Sequence, residues 1–141
     1  MKKNIALFYI IIMVFVLSSC SSMVSYIRFP SENDDTRYGQ IFDVPQKLGD
    51  DAVIFYADED LYDIDVVNMQ YDDQTEQYTE LETVWSKETL IKGDGIKISL
   101  DLSRQIPYVM VRYSRQNGEI RQQFIYMNPS TEKLWLIEQY Q

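Results

Sequence analysis

The sequence predicts an all-β fold, a single β-sandwich of about seven to eight strands with at most a short helical crossover. Between residues 38 and 138, short apolar or alternating stretches recur, and polar, turn-rich stretches separate them. One stretch, IKISLDL, alternates between apolar and polar residues, which is typical of a strand with one buried and one solvated face. An Asn-Gly pair separates two other stretches and predicts a β-hairpin.

The first half of this region contains one strong strand signal and two weaker ones. Tyr38–Val44 is the candidate first strand, and Pro45–Asp51 is a turn-rich loop. Ala52–Ala57 is apolar or aromatic throughout and lies between acidic clusters, so we expect a buried strand. Leu61–Tyr71 is ambiguous, because its apolar residues fit both helical spacing and the alternation of a strand; we favour a short helix or irregular crossover there.

Two alternating stretches follow, and each predicts a strand with one inward face. In Tyr78–Trp85 the inward residues are Thr79, Leu81, Thr83 and Trp85. In Ile96–Leu102, which follows the turn Lys92–Gly95, the inward residues are Ile96, Ile98, Leu100 and Leu102.

The hairpin joins Ile106–Arg115 to Ile120–Met127 through Asn117 and Gly118, and Lys133–Glu138 is the last predicted strand. Asn-Gly accepts the positive φ angles of a type I′ turn, so we predict a two-residue loop. That loop pairs Arg115 with Ile120, Tyr113 with Gln122, Val111 with Phe124 and Val109 with Tyr126. The last two pairs would form an apolar cluster on one face of the hairpin.

The N-terminal residues have the order of an export signal. Lys2 and Lys3 precede the uncharged apolar run Ile5–Leu17. As a helix this run rises only about 20 Å, less than the roughly 30 Å hydrocarbon layer of a bilayer. We therefore favour a cleaved signal over the alternative of an uncleaved signal anchor.

The end of the apolar run, Leu17-Ser18-Ser19-Cys20, resembles the bacterial lipobox. The resemblance implies cleavage before Cys20 and a diacylglycerol on its sulfur, and Ser21 in the next position resembles an outer-membrane address. The predicted domains are the signal peptide, residues 1–19, a lipidated N-terminus and flexible tether, residues 20–37, and the β-sandwich, residues 38–141.

Charge and composition exclude several classes of function. Without residues 1–19 the chain has 11 basic and 22 acidic residues, a net charge of −11. This charge excludes a nucleic-acid partner and leaves membrane attachment to the lipid. The chain has no histidine, and Cys20 is its single cysteine, which excludes Ser-His-Asp and Cys-His catalysis and zinc sites made of histidine and cysteine.

We therefore predict that the protein is not an enzyme and has no catalytic residue, no bound metal and no cofactor besides the covalent lipid on Cys20. The acidic stretch Asp58–Asp65 leaves a Ca²⁺ site as the alternative to a solvated loop. Two functions fit this chemistry. The first is an interaction module whose loops hold a protein partner beside the membrane. The second is a ligand- or glycan-binding lipoprotein that uses some of its eleven tyrosines.

Four stretches resemble the TssJ lipoproteins of type VI secretion systems: Val53–Tyr56, Leu61–Met69, Lys92–Gly95 and Val109–Phe124. The resemblance covers residues 38–138 and implies a transthyretin-like sandwich on the periplasmic face of the outer membrane. It implies a partner as well, the periplasmic domain of the inner-membrane protein TssM. In that family the loop between the first two strands contacts the partner, so the implied contact residues here are Pro45, Gln46, Lys47, Leu48 and Gly49.

Overall fold

The computed structural model describes residues 24–34 and 39–139, and nine strands in these residues form two sheets. The predicted all-β sandwich is confirmed. In chain order the strands are β1 (Ser25–Arg28), β2 (Ile41–Asp43), β3 (Asp51–Ala57), β4 (Leu61–Asp72), β5 (Gln77–Leu90), β6 (Gly95–Leu100), β7 (Val109–Arg115), β8 (Ile120–Asn128) and β9 (Lys133–Glu138).

The two sheets share one apolar core. Sheet A has the strand order β1-β3-β6-β2, and sheet B has the order β5-β4-β7-β8-β9. Neighbouring strands are antiparallel except β2 and β6, which run parallel. The predicted inward residues of the β6 stretch are all buried in the core: Ile96, Ile98, Leu100 and Leu102. Strict alternation placed them correctly because β6 pairs on both sides without a register shift.

The predicted flexible tether, residues 20–37, is wrong for the four residues of β1. Ser25–Arg28 pairs with β3, and Val24 just before it is 2% exposed in the core. The boundary of the sandwich therefore lies before residue 38. The predicted first strand was Tyr38–Val44. The structure forms strand β2 over Ile41–Asp43, and Tyr38 lies outside the described residues.

The predicted helix or crossover over Leu61–Tyr71 is also wrong, because this stretch lies in the twelve-residue strand β4. Asp63 has a φ of 49°, and the pairing with β7 shifts around it. This irregularity brings Leu61 and Ile64 into the same core although they are three residues apart. Their spacing therefore imitates the period of a helix.

The stretch Tyr78–Trp85 lies within the long strand β5, as predicted, but its inward face differs from the prediction. Of the four predicted inward residues, Trp85 packs against the core. The exposed ones are Thr79, Leu81 and Thr83. The pairing of β4 with β5 has two register shifts, which leave Leu81 and Val84 without a partner in β4 and interrupt the alternation.

The hairpin between β7 and β8 exists, but its loop has three residues rather than two. Arg115 N donates to Glu119 O at 2.8 Å, and Gly118 N donates to Arg115 O at 2.9 Å. Gly118 has a φ of 85°, whereas Asn117 does not have a positive φ. The predicted type I′ turn is therefore wrong, and the geometry is that of a three-residue loop with a glycine bulge.

The longer loop moves the pairing of β7 with β8 by one residue. Met110, and not Val111, lies opposite Phe124. Phe124 consequently packs on the outer face of sheet B, in a second buried cluster with Val67, Met69 and Met110. The apolar cluster predicted for the hairpin is divided between the two faces, because a slip of one residue reverses every side chain.

A buried polar network joins β1 to sheet B. The hydroxyls of Ser25 and Tyr113 both donate to Gln123 Oε1, at 2.7 Å and 3.0 Å, and Gln123 Nε2 donates to Glu138 Oε1 at 3.0 Å. Tyr113 is fully buried, and Ser25 and Gln123 are each 6% exposed. Because these buried polar groups satisfy one another, the network can hold β1 to the sandwich without a desolvation penalty for unpaired groups.

The network predicts a loss of stability at high pH. Burial raises the pKa of Tyr113 from its usual 10.0 to about 12. Between these values the tyrosine ionises in the unfolded chain but stays protonated in the folded one, so the unfolded state is favoured as pH rises. We expect the wild type to lose about 1.4 kcal/mol more than Tyr113→Phe between about pH 8 and about pH 11, measured by urea unfolding. Equal losses in the two proteins would contradict this assignment.

Candidate protein-docking groove

The loop between β2 and β3 contains the five residues predicted to contact a partner, and its backbone is fixed along β6. Val44 N donates to Lys97 O at 3.0 Å, and Leu48 N donates to Ser99 O at 3.0 Å. The loop thus extends the parallel pairing of β2 with β6. It is a connection with a defined position and not a free tip.

Gly49 lies so close to the end of β6 that the loop has no room for a side chain there. A Cβ atom at this position would lie 2.2 Å from Asp101 N and 2.2 Å from the carbonyl carbon of Leu100. Both contacts are to backbone, which cannot rotate away as a flexible side chain could. Glycine is required at position 49 for close packing, and this packing positions Leu48 beside it.

Tyr108 joins the β2–β3 loop to the loop between β6 and β7. Its hydroxyl donates to Leu48 O at 3.0 Å and accepts from Asp101 N at 2.6 Å. The Arg104 guanidinium lies 4.0 Å from the centre of the Tyr108 ring. These contacts hold the two loops together at one end of the sandwich.

A groove of about 770 Å³ opens at this end of the sandwich. The β2–β3 loop, the ends of β4 and β5, and the β6–β7 loop line it. Its apolar and aromatic lining consists of Leu48, Met69, Tyr71, Leu81, Ile106, Pro107 and Tyr108. Leu81 is 55% exposed and Ile106 is 41% exposed. Large exposed apolar side chains grouped in one concave surface are typical of a binding site.

The structure brings only part of the predicted contact loop to the groove. Leu48 lines it, and the adjacent Gly49 packs against the backbone of Leu100 and Asp101. Pro45 is exposed on the loop, and Gln46 Nε2 donates to Glu82 Oε1 at 2.7 Å. Lys47 extends into solvent and forms an ion pair with Asp50 at 2.8 Å, and its hydrogen bond to that carboxylate raises the pKa of Lys47.

Sequence reasoning missed the two most exposed apolar residues of the groove. Leu81 was expected in the core, and the register shift in β5 turns it outward instead. Ile106 was expected to begin a strand, but β7 begins at Val109 and leaves Ile106 in the preceding loop. For Ile106 the sequence offered one signal of a loop position, because this apolar residue stands directly before a proline at the end of a polar stretch.

Acidic side chains of the stretch Asp58–Asp65 are engaged at separate places in the structure. The side chain of Glu59 pairs with Arg115 at 2.7 Å, and Asp65 pairs with Arg112 at 3.1 Å. Asp60 accepts a hydrogen bond from Lys92 N at 2.8 Å. These carboxylates have separate partners, and no group of three or more acidic, histidine or cysteine side chains in the described residues could hold a metal ion.

The predicted lipidation site Cys20 and cleavage residues Leu17, Ser18 and Ser19 lie outside the described residues. Within the described part of the chain, no helix is both long enough and apolar enough to cross a membrane. Comparison of the chain with protein-family models, with curated proteins and with solved structures finds no match.

Proposed function

We propose that the protein is a lipid-anchored adaptor of the bacterial cell envelope, which holds a periplasmic partner protein at the inner surface of the outer membrane. The single observation that carries the proposal is the groove, because it groups exposed apolar side chains in one concave surface. The resemblance to TssJ lipoproteins supports a particular partner, the periplasmic domain of a TssM-like inner-membrane protein. No nucleic acid is involved, given the acidic composition.

The position of the anchor supports the same proposal. Val24 is buried and follows Cys20 by four residues, a span of at most about 14 Å. A lipid on Cys20 would therefore hold the Val24 end of the sandwich against the membrane. Strand β3 begins with Asp51, beside the groove loop, and ends with Ala57, beside Ser25. The groove would thus lie about 20 Å further from the bilayer, open to the periplasm.

Ile106→Asp is expected to reduce recovery of the partner about tenfold or more. The change places a charge in the apolar groove, and apolar anchors in such surfaces commonly contribute over 1 kcal/mol to binding. The lipidated protein would be purified from membranes of its native host, and co-purified inner-membrane proteins would be identified and quantified by mass spectrometry.

Ile120→Asp is the matched control for this experiment. Ile120 is 65% exposed and lies in the β7–β8 hairpin, near the Val24 end and away from the groove. The same substitution there should leave partner recovery unchanged. If folded Ile106→Asp recovered as much partner as the wild type, the groove would not be the partner-binding site. A second variant, Lys47→Glu with Leu48→Asp, tests the loop itself.

A second candidate function is binding of a glycan to the outer face of sheet B. Trp135 is 53% exposed and pairs in register with Tyr126, so two aromatic rings share this face. Sugars stack on such exposed rings. Titration with peptidoglycan fragments, followed by tryptophan fluorescence in wild type and Trp135→Ala, separates this function from protein docking.

A further inference from the structure

We propose that the groove binds a short segment of the partner in which apolar residues are flanked by lysines or arginines. This inference rests on the proposed docking function and adds the chemistry of the partner to it. The apolar floor of the groove calls for apolar anchors, and the charge of its rim determines which residues flank them.

The rim of the groove is acidic. The three chain segments that border it, residues 45–51, 71–76 and 101–108, contain six carboxylates and two cations. Both cations already have acidic neighbours within these segments. Lys47 pairs with Asp50 at 2.8 Å, and Arg104 lies 3.8 Å from Asp101. The rim therefore presents a surplus of negative charge to a partner.

The surplus is concentrated on the turn between β4 and β5. Asp73 lines the groove, Glu76 lies on the same turn, and Asp72 is the last residue of β4 directly before it. Hydrogen bonds from the backbone N–H groups of Gln74 and Thr75 lower the pKa of Asp72, which keeps it ionised. Among the described residues, no lysine or arginine forms an ion pair with these three carboxylates.

Charge complementarity then selects one class of occupant. An acidic segment, a second copy of this acidic chain or an anionic lipid surface would each meet like charge at the rim. A segment with basic flanks would meet opposite charge on the turn while its apolar residues contact Leu48, Leu81 and Ile106. Such rim charges contribute mainly to association rate and specificity, and salt screens them.

The test uses three fluorescent peptides of equal length with the purified protein in a neutral detergent, and micelles alone as the blank. One peptide has leucine and isoleucine anchors with lysine flanks, one has the same anchors with glutamate flanks, and one has lysine flanks around serine. We expect the first to bind about tenfold or more tightly than either of the others, and this advantage over glutamate flanks to shrink from about 50 mM to about 500 mM salt.

Variants locate the binding site. Ile106→Asp should abolish binding of the first peptide, and Ile120→Asp should not change it. Asp73→Asn should weaken binding of that peptide several-fold and should not weaken binding of the glutamate-flanked peptide, for which it removes a like charge at the rim. Equal binding of lysine- and glutamate-flanked peptides, strong binding of the serine peptide, or self-association through the groove would each overturn the proposal. Co-purification of a partner that has no basic segment would also overturn it, while the adaptor function would stand.

Discussion

Cys20→Ser is expected to remove acyl label from the protein and to deplete it from the outer-membrane fraction about tenfold or more. In the proposed lipoprotein the diacylglycerol is attached to the Cys20 sulfur, and serine cannot accept it in the same linkage. Each buried methylene of an acyl chain contributes about 0.8 kcal/mol of membrane affinity. Without residues 1–19 the chain has a net charge of −11, which gives it no electrostatic attraction to anionic lipids as a substitute.

The measurements are labelling with a fatty acid, membrane fractionation and intact mass. Ser22→Ala, which changes a neighbouring residue and keeps the thiol, is the control and should behave as wild type. The two models of the N-terminus differ in the result. A lipoprotein begins at Cys20 and carries the mass of its acyl chains. A wild-type protein that still begins at Met1 without acyl mass, and a Cys20→Ser variant that stays in the membrane as before, would instead establish an uncleaved signal anchor.

The sequence predicted best the strands whose pairing is regular. β6 has the predicted inward residues, β9 has the predicted bounds Lys133–Glu138, and β3 begins one residue before the predicted Ala52. Alternation failed where the backbone inserts an extra residue. The irregularity at Asp63 hid β4 behind an apparent helical period, and the three-residue loop ending at Gly118 moved the β7–β8 register. The pattern of apolar and polar residues does not show where the backbone inserts an extra residue. That residue nevertheless reverses which side chains of the strand face the core.

β1 was missed for a different reason. Four residues carry too little periodicity to be distinguished from a tether, and this strand is stabilised by distant partners. It pairs with β3, and Ser25 joins the polar network of Tyr113 and Gln123, which lie far along the chain. The presence of β1 matters for the proposed function, because the folded domain then begins a short distance after the proposed anchor at Cys20 rather than after a long tether.

The residues of the candidate groove could likewise be predicted only in part from the sequence. The loop that contains Leu48 was expected to contact a partner because of the resemblance to TssJ lipoproteins, and Leu48 does line the groove. Leu81 and Ile106 come from other parts of the chain and reach Leu48 only through the pairing of the sheets. Their exposure depends on a register shift in one case and on the start of β7 in the other. No local sequence pattern contains this information.

Gly49→Ala is expected to destabilise the sandwich by about 2–4 kcal/mol and to lower its Tm by roughly 10 °C. The added methyl group would lie 2.2 Å from backbone atoms of Leu100 and Asp101, so the loop must move away from β6. This movement would strain or break the hydrogen bonds that Leu48 makes with Ser99 and Tyr108, each contributing about 1 kcal/mol. The groove would lose one wall, and binding of the partner should fall together with stability.

Gly118→Ala is the control that separates crowding from backbone strain. Gly118 has a φ of 85° and no atom within 4 Å of its added Cβ, so its substitution should cost only about 1 kcal/mol. Because Gly118 lies in the hairpin away from the groove, this variant should bind the partner normally once it is folded. Both free energies of unfolding can be measured with urea. A cost at Gly49 no greater than that at Gly118 would show that the β2–β3 loop is not packed against β6, and the positioning of Leu48 in the groove would have to be abandoned.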